Sequence, residues 1–239
     1  MRVCILTVGS RGDVQPYVAL ARSLERAGHR TAVCASPAYR SFIESYGVEY
    51  ACVDTGDPQV LLRSPEGQAI FRSTRNPLAL LQGLCRLLEP VLEKGYAEAC
   101  QVSADADALL VAPGALPIAQ ALNESRGLPL ANAFLQPNHP TREFGCWLFP
   151  EVPAWLPFRG RLRRGSYRLT WQMLYRIVRG ANDAARRNVL GLGPGVNPFA
   201  AMLRDRWPTL YGISSSVLPR PVDWGPELEL TGYWFLDRP

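Results

Sequence analysis

Lysine is nearly missing from this chain: of its 26 basic residues only Lys94 is lysine, and the rest are arginine. Histidine occurs twice, as His29 and His139, and neither sits in a cluster of ligand-type residues, so metal chemistry is poorly supplied. The six cysteines, at positions 4, 34, 52, 85, 100 and 146, contain no C-x-x-C pair. A chain of this length and core content does not need a disulfide framework, and a free thiol within a strand-like run behaves as a small buried hydrophobe. We therefore expect a reduced, cytoplasmic protein. No apolar run approaches the roughly 20 residues of a membrane span. The N-terminus enters a strand pattern at once, without the charged, apolar and cleavage-site regions of a secretory signal. Two nucleotide signatures are also missing. The G-K-[ST] of a P-loop occurs nowhere. Gly9 and Gly12 do not make a dinucleotide fingerprint, and the second strand ends in "VCASP" where an acid for the ribose would be needed.

What is present is a regular alternation. The 239 residues, 47% of them hydrophobic, suit one large or two small globular domains. Strand patterns at Arg2–Val8, His29–Ala35, Val48–Val53, Asp107–Ala112 and Leu128–Leu135 alternate with helical patterns at Val14–Ala27, Ala38–Tyr46, Pro77–Val102 and Leu116–Arg126. This rhythm predicts an α/β fold, a Rossmann-like open parallel sheet with helices on both faces. No internal repeat or low-complexity tract interrupts it.

The character changes at about 136–165, where "QPNHPTREFGCWLFPEVPAWLPFRGRLRRG" is rich in proline, aromatics and arginine and reads as an irregular insertion. A helix is expected at Ser166–Val189, with Trp171, Leu174, Tyr175, Val178, Ala181 and Ala185 as its apolar stripe. Gln172, Arg176, Arg179, Asp183 and Arg186 fall on the opposite face. A short helix at Pro198–Arg206 and strands at Thr209–Ser214 and Leu228–Phe235 complete the chain. Between Arg159 and Arg187 nine arginines meet one acid, Asp183, within a net charge of +5. No nucleic-acid recognition module accompanies them. The run reads either as a solvated helix face or as a patch facing anionic headgroups.

The turn "VGSRGDVQP" carries the chemistry. Asp13 follows the first strand and opens the first helix, which suits an N-cap that satisfies free helix amides. Pro16 would then occupy the third helical position and offer no N–H, so the cap would rest on Gln15 alone. Open α/β sheets also hold their ligands at the carboxyl ends of the strands, where Asp13 lies. Both roles can coexist.

These residues carry a resemblance. "GSRGDVQPYVALARSLERAGHRTAVCASPAYRSFIESYGVEY" is similar to the start of GT-B fold glycosyltransferases. The branch is that of sterol 3-beta-glucosyltransferases and of glycosyltransferases acting on glycopeptide and macrolide aglycones. "NAFLQPNHPTREF" resembles the segment entering the acceptor loop, and "LTGYWF" the strand before the interdomain linker. The resemblance covers nearly the whole chain, and the signature at Gly9–Pro16 is its most specific part.

It implies that Asp13 is the general base that deprotonates an acceptor hydroxyl as the oxygen attacks a nucleotide sugar, with inversion. An alcohol is a weak nucleophile at neutral pH, so proton removal within the transition state suits a carboxylate. Ser10, Arg11 and Gly12 would line the cleft toward sugar or phosphates, and Arg11 could instead brace the loop. The insertion aromatics Phe144, Trp147, Phe149 and Trp155 would form a wall for a lipophilic acceptor, or pin the loop to the sheet. His139 is a second candidate base or substrate contact at the mouth of the fifth strand. The donor half's histidine- and glycine-rich motif has no counterpart. Residues 1–239 are thus expected to be the acceptor-binding N-terminal domain, with a donor domain in cis or as a split partner. No cofactor is expected, a UDP- or dTDP-hexose being the co-substrate. The partners expected are a small lipophilic acceptor and a peripheral contact at the membrane inner face, and not nucleic acid. A non-catalytic binding module, or another α/β enzyme that uses the first turn for a nucleotide, would read similarly.

Overall fold

The computed structural model of the chain describes residues 1–56, 64, 65, 68 and 77–237. Seven short strands are built from apolar runs such as VCIL, AVCA and ALLV: β1 (Arg2–Leu6), β2 (Arg30–Ala35), β3 (Glu49–Cys52), β4 (Ala108–Val111), β5 (Leu130–Phe134), β6 (Thr209–Tyr211) and β7 (Leu228–Leu230). Runs apolar at successive positions suit a sheet covered on both faces. All neighbours pair in parallel, in the order β3-β2-β1-β4-β5-β6-β7. The fold is α/β and Rossmann-like. Its strand order reverses direction between β1 and β4, which opens a crevice at their carboxyl ends.

Successive side chains of β1 divide between two layers. Val3 and Ile5 face a core shared with α1 (Arg11–Arg26) and α2 (Arg40–Glu44). Cys4 and Leu6 face a second core, covered by α3 (Pro77–Val102), α4 (Leu116–Arg126), α5 (Arg159–Leu190) and α6 (Pro198–Arg204). Lys94 on α3 pairs with Asp54 at 2.8 Å, tying that helix to the end of β3.

Several boundaries differ from expectation, each for a physical reason. α1 begins at Arg11, because Ser10 and not Asp13 takes the N-cap position. α2 is reduced to five residues behind a 3-10 turn at Pro37–Tyr39. α5 starts at Arg159, inside the stretch read as loop, where arginine and leucine are good helix formers despite Gly160 and Gly165. Glu151 holds this start by pairing with Arg159 at 3.2 Å and with Arg163. β6 and β7 are shorter than expected: the chain turns away at Gly212 and Gly232, and Trp234 crosses to pack on Tyr17 of α1, ring centroids 5.8 Å apart. Arg186, expected on the polar face of α5, is 1% exposed. Its guanidinium donates to the Gly193 carbonyl at 2.9 Å and to Glu124 at 2.7 Å.

Candidate active site

The first turn of α1 is set by the residues just before it. Ser10 caps the helix, and Asp13 stands at its third position. Asp13 reaches back so that Oδ2 accepts the Ser10 N–H at 2.8 Å and the Ser10 hydroxyl at 2.9 Å, the returning half of a capping box. Both bonds fall on Oδ2, and Oδ1 takes no hydrogen bond among the described residues. Pro16 has no N–H for the Gly12 carbonyl four residues earlier. The Thr7 hydroxyl, just after β1, donates to the neighbouring Asp13 carbonyl at 2.6 Å and ties the helix start to the strand end. Gly9 is required here twice over. Its φ is +136°, and a Cβ placed on it would lie 2.8 Å from Asp13 Cγ. The arginine of the turn stays clear of the crevice: Arg11 lies over the ring of Phe42, 4.7 Å from its centroid. It braces α2.

Two cavities meet beside this turn. The smaller, about 130 Å³, is lined by Val8, Asp13 and Tyr17 after β1, Pro113 and Gly114 after β4, and Gln136 after β5. The larger, about 340 Å³, is walled by Trp147, Trp171, Tyr175, Val178 and Phe199. Pro113, Gly114 and Gln136 line both. The cavities therefore adjoin at that rim, where Gly114 packs close to Val8: a Cβ there would come within 3.2 Å of Val8 Cβ. Trp171 and Phe199 stack at 3.9 Å with their planes 3° apart, which makes one wall rigid and flat. Asn182, fixed by the Tyr96 hydroxyl at 2.5 Å, Asn138 and Gln136 supply polar points on a mostly apolar lining.

Asp13 is the one carboxylate among the residues lining either cavity, and neither histidine nor lysine joins it. Tyr17 is no competitor as a base. Burial, and secondarily the Asp13 charge, push its hydroxyl well above the usual range, and that hydroxyl donates to the Ala133 carbonyl at 2.6 Å. Tyr175 is also raised, chiefly by burial, and donates to the Gly195 carbonyl at 2.7 Å.

Of the residues expected at the site, Asp13 and Trp147 line these cavities; the others do not. Ser10 acts on the Asp13 carboxylate, and Gly12 is exposed in the first turn. Phe144 packs on Trp224 at 6.5 Å, half-buried in the core behind β6. Phe149 is half-buried without lining the cleft, and Trp155 is 81% exposed. His139 is buried on another side. The Tyr211 hydroxyl accepts the N–H groups of Asn138 and His139, so its own hydrogen goes to His139 Nδ1 at 2.6 Å. Burial lowers this imidazole to about 4, so it is neutral, carries its proton on Nε2 and is a poor base. Beside Trp147 from the insertion, the apolar wall comes mainly from α5 and α6. Trp171, Tyr175 and Val178 are visible in the sequence as an apolar stripe, and Phe199, Gln136 and Asn182 carry no comparable signal.

Residues 3–144 match the Glycosyltransferase family 28 N-terminal domain. The chain belongs to this family. The sterol 3-beta-glucosyltransferase of Cryptococcus neoformans var. neoformans serotype D (strain JEC21 / ATCC MYA-565) is 34% identical over 245 residues, covering 100% of this chain and 14% of the relative. That of Neurospora crassa is 34% identical over 248 residues, covering 100% and 15%. The family 28 chain thus spans about one-seventh of the length of these relatives. Among solved structures, the glycotransferase of kitacinnamycin aligns with a TM-score of 0.59 at 17% identity, over 100% of this chain and 52% of the other. The calicheamicin glycosyltransferase CalG4 aligns with a TM-score of 0.54 at 13% identity, over 98% and 53%. At these identities the likeness is one of fold, and the family 28 chain has the architecture of one half of a GT-B fold.

Proposed function

We propose that this family 28 chain is the acceptor-binding half of an inverting glycosyltransferase, which moves a hexose from a UDP- or dTDP-sugar to a hydroxyl of a lipophilic acceptor of the sterol class. The observation that carries the reading is that an apolar cleft adjoins a small cavity whose one carboxylate is Asp13. An apolar acceptor body lying against Trp147, Trp171 and Val178 would carry its hydroxyl over the Gly114 rim toward that carboxylate. Relatives named sterol 3-beta-glucosyltransferases support the acceptor class.

In the reaction the acceptor O–H gives its proton to Asp13 while its oxygen forms a bond to the anomeric carbon. The bond from that carbon to the terminal phosphate oxygen breaks on the opposite face, and the nucleotide leaves with the electron pair. Ser10 holds one carboxylate oxygen, so the other is oriented as the acceptor of the proton. The nucleotide would be held by a donor domain, in cis or as a partner chain.

The test is Asp13→Asn in the enzyme that joins this chain to a donor domain. Asparagine keeps an acceptor for the Ser10 N–H, so folding should be little changed, while turnover should fall by about 10² or more. Near-normal turnover in that variant would place the base elsewhere and end the reading.

A further inference from the structure

A third cavity, of about 490 Å³, lies between the N-terminal half of α5, the end of α6 and the segment leading into β7, and it shares no lining residue with the two that meet at Asp13. Its lining carries four arginines, Arg164, Arg168, Arg204 and Arg206, against two carboxylates, Asp223 and Glu227. Arg164 and Arg168 project into it from one face of α5, and neither has an ion pair among the described residues. The carboxylates at its edge are already committed. Asp223 accepts from the Thr141 hydroxyl at 2.6 Å and the Arg142 N–H at 3.0 Å, and Glu227 pairs with Arg206 at 2.7 Å. His139, 4% exposed, lines the cavity as well. The Tyr211 hydroxyl occupies its Nδ1, so the proton sits on Nε2, which has no partner among the described residues. Trp224, 5% exposed and stacked on Tyr211 at 4.8 Å, lines the same wall with an indole N–H that is also unpaired. Donors therefore dominate the uncommitted groups, and two of them are cationic; the exception is Glu227 Oε1, whose charge is already met by Arg206 at Oε2. Of these the Trp224 indole N–H is buried without a partner, a state that costs on the order of 1–3 kcal/mol and that an acceptor oxygen would relieve.

We propose that this cavity is a second ligand site, which binds a phosphate group through Arg164, Arg168 and His139 Nε2–H. Paired guanidiniums suit phosphate oxygens because each presents two parallel N–H groups. A neutral imidazole donor adds a directed bond with no further charge to desolvate. A second hollow of about 290 Å³, lined by Arg142, Arg161 and the same two arginines, extends the positive surface toward solvent. A phosphate in the cavity could thus belong to a larger ligand, either a dissolved phosphate ester or the headgroup of a lipid. The site is independent of the role given to Asp13.

Titration of the 239-residue chain with inorganic phosphate, followed by calorimetry, tests the proposal. Saturable binding with a dissociation constant of about 1 mM or tighter is expected. The double variant Arg164→Gln/Arg168→Gln, both at exposed positions, should weaken it at least tenfold. The matched variant Arg176→Gln/Arg187→Gln, also exposed on α5 but outside the cavity, should not. Co-sedimentation with phosphatidylcholine vesicles, with and without phosphatidic acid, separates the sources. Binding that needs phosphatidic acid and is lost in the first double variant identifies a lipid headgroup. Phosphate binding without vesicle binding identifies a soluble ester. Absence of saturable phosphate binding, or equal weakening by both double variants, overturns the proposal.

Discussion

Gly9→Ala probes the turn that presents Asp13. Two costs can be separated. The backbone at φ +136° lies in territory that L-residues avoid, and holding alanine there costs about 1–3 kcal/mol. The new methyl would also sit 2.8 Å from Asp13 Cγ and 3.0 Å from its Cβ, so the carboxylate must leave its position and give up the Ser10 bonds at 2.8 and 2.9 Å. Loss of hydrogen bonds to a charged group adds about 1–3 kcal/mol. The sum, about 2–6 kcal/mol, should lower the melting temperature by at least about 4–8 °C in a chain of this size. A double-mutant cycle with Asp13→Ala isolates the second cost, because alanine at position 13 removes the displaced group. Gly9→Ala should then be less damaging in that background, by about 1–3 kcal/mol. Denaturant titration of the four proteins measures the coupling. A coupling near zero would refute the account of Gly9 as the space for the Asp13 carboxylate, whatever the size of the single-variant effects.

The buried His139 makes stability depend on pH in a window of its own. Its imidazole is lowered from 6.5 to about 4 by burial, so between those values the unfolded chain binds a proton that the folded chain refuses. Stability should fall by about 2 kcal/mol from pH 7 to pH 5, and His139→Gln should flatten that slope; an unchanged slope would remove His139 as its origin. Carboxylates held low by partners, such as Glu227 beside Arg206, lose their contribution progressively from about pH 5 downward, as the unfolded carboxylate protonates first. The Arg186–Glu124 pair is asymmetric, with side chains 1% and 50% exposed. Glu124→Ala strands a buried guanidinium and should cost about 1–3 kcal/mol, more than Arg186→Met, which leaves Glu124 solvated; urea titration giving the reverse order would refute this. For the peripheral-membrane expectation, Trp147 and Trp155, 60% and 81% exposed, should support binding to anionic vesicles that weakens with salt and falls when both become alanine. Equal binding to neutral vesicles would refute it.

The sheet was legible because its strands are continuous apolar runs between helical periodicities, and the crevice position of Asp13 follows from strand order alone. The place of Asp13 within its helix was not, since a serine three residues earlier competes for the cap and only geometry decides between them. The apolar stripe of α5 was equally plain, but periodicity reports which face is apolar and not what covers it. The stripe alone therefore does not tell that Trp171 and Val178 wall a cleft. Arg186 was misplaced because a long side chain can turn inward when a carbonyl and a carboxylate wait at its end. The aromatics of the insertion stay ambiguous in the sequence for the opposite reason. Size and apolarity mark Phe144, Phe149 and Trp155 as contacts of some kind, and the backbone path alone says with what.

The central place of β1 has a consequence for how the protein is made. Val3 pairs with Thr31 on one side and Ala108 on the other. During synthesis the first neighbour emerges soon after β1, but the second lies more than a hundred residues downstream. At ribosomal rates of about 5–20 residues per second, that leaves the other edge of Val3–Leu6 open for roughly 5–20 seconds. An apolar strand edge is a template for pairing with other chains. The nascent protein is therefore most exposed to misassembly in that interval, and a folding helper acting on it has to hold β1 until β4 arrives.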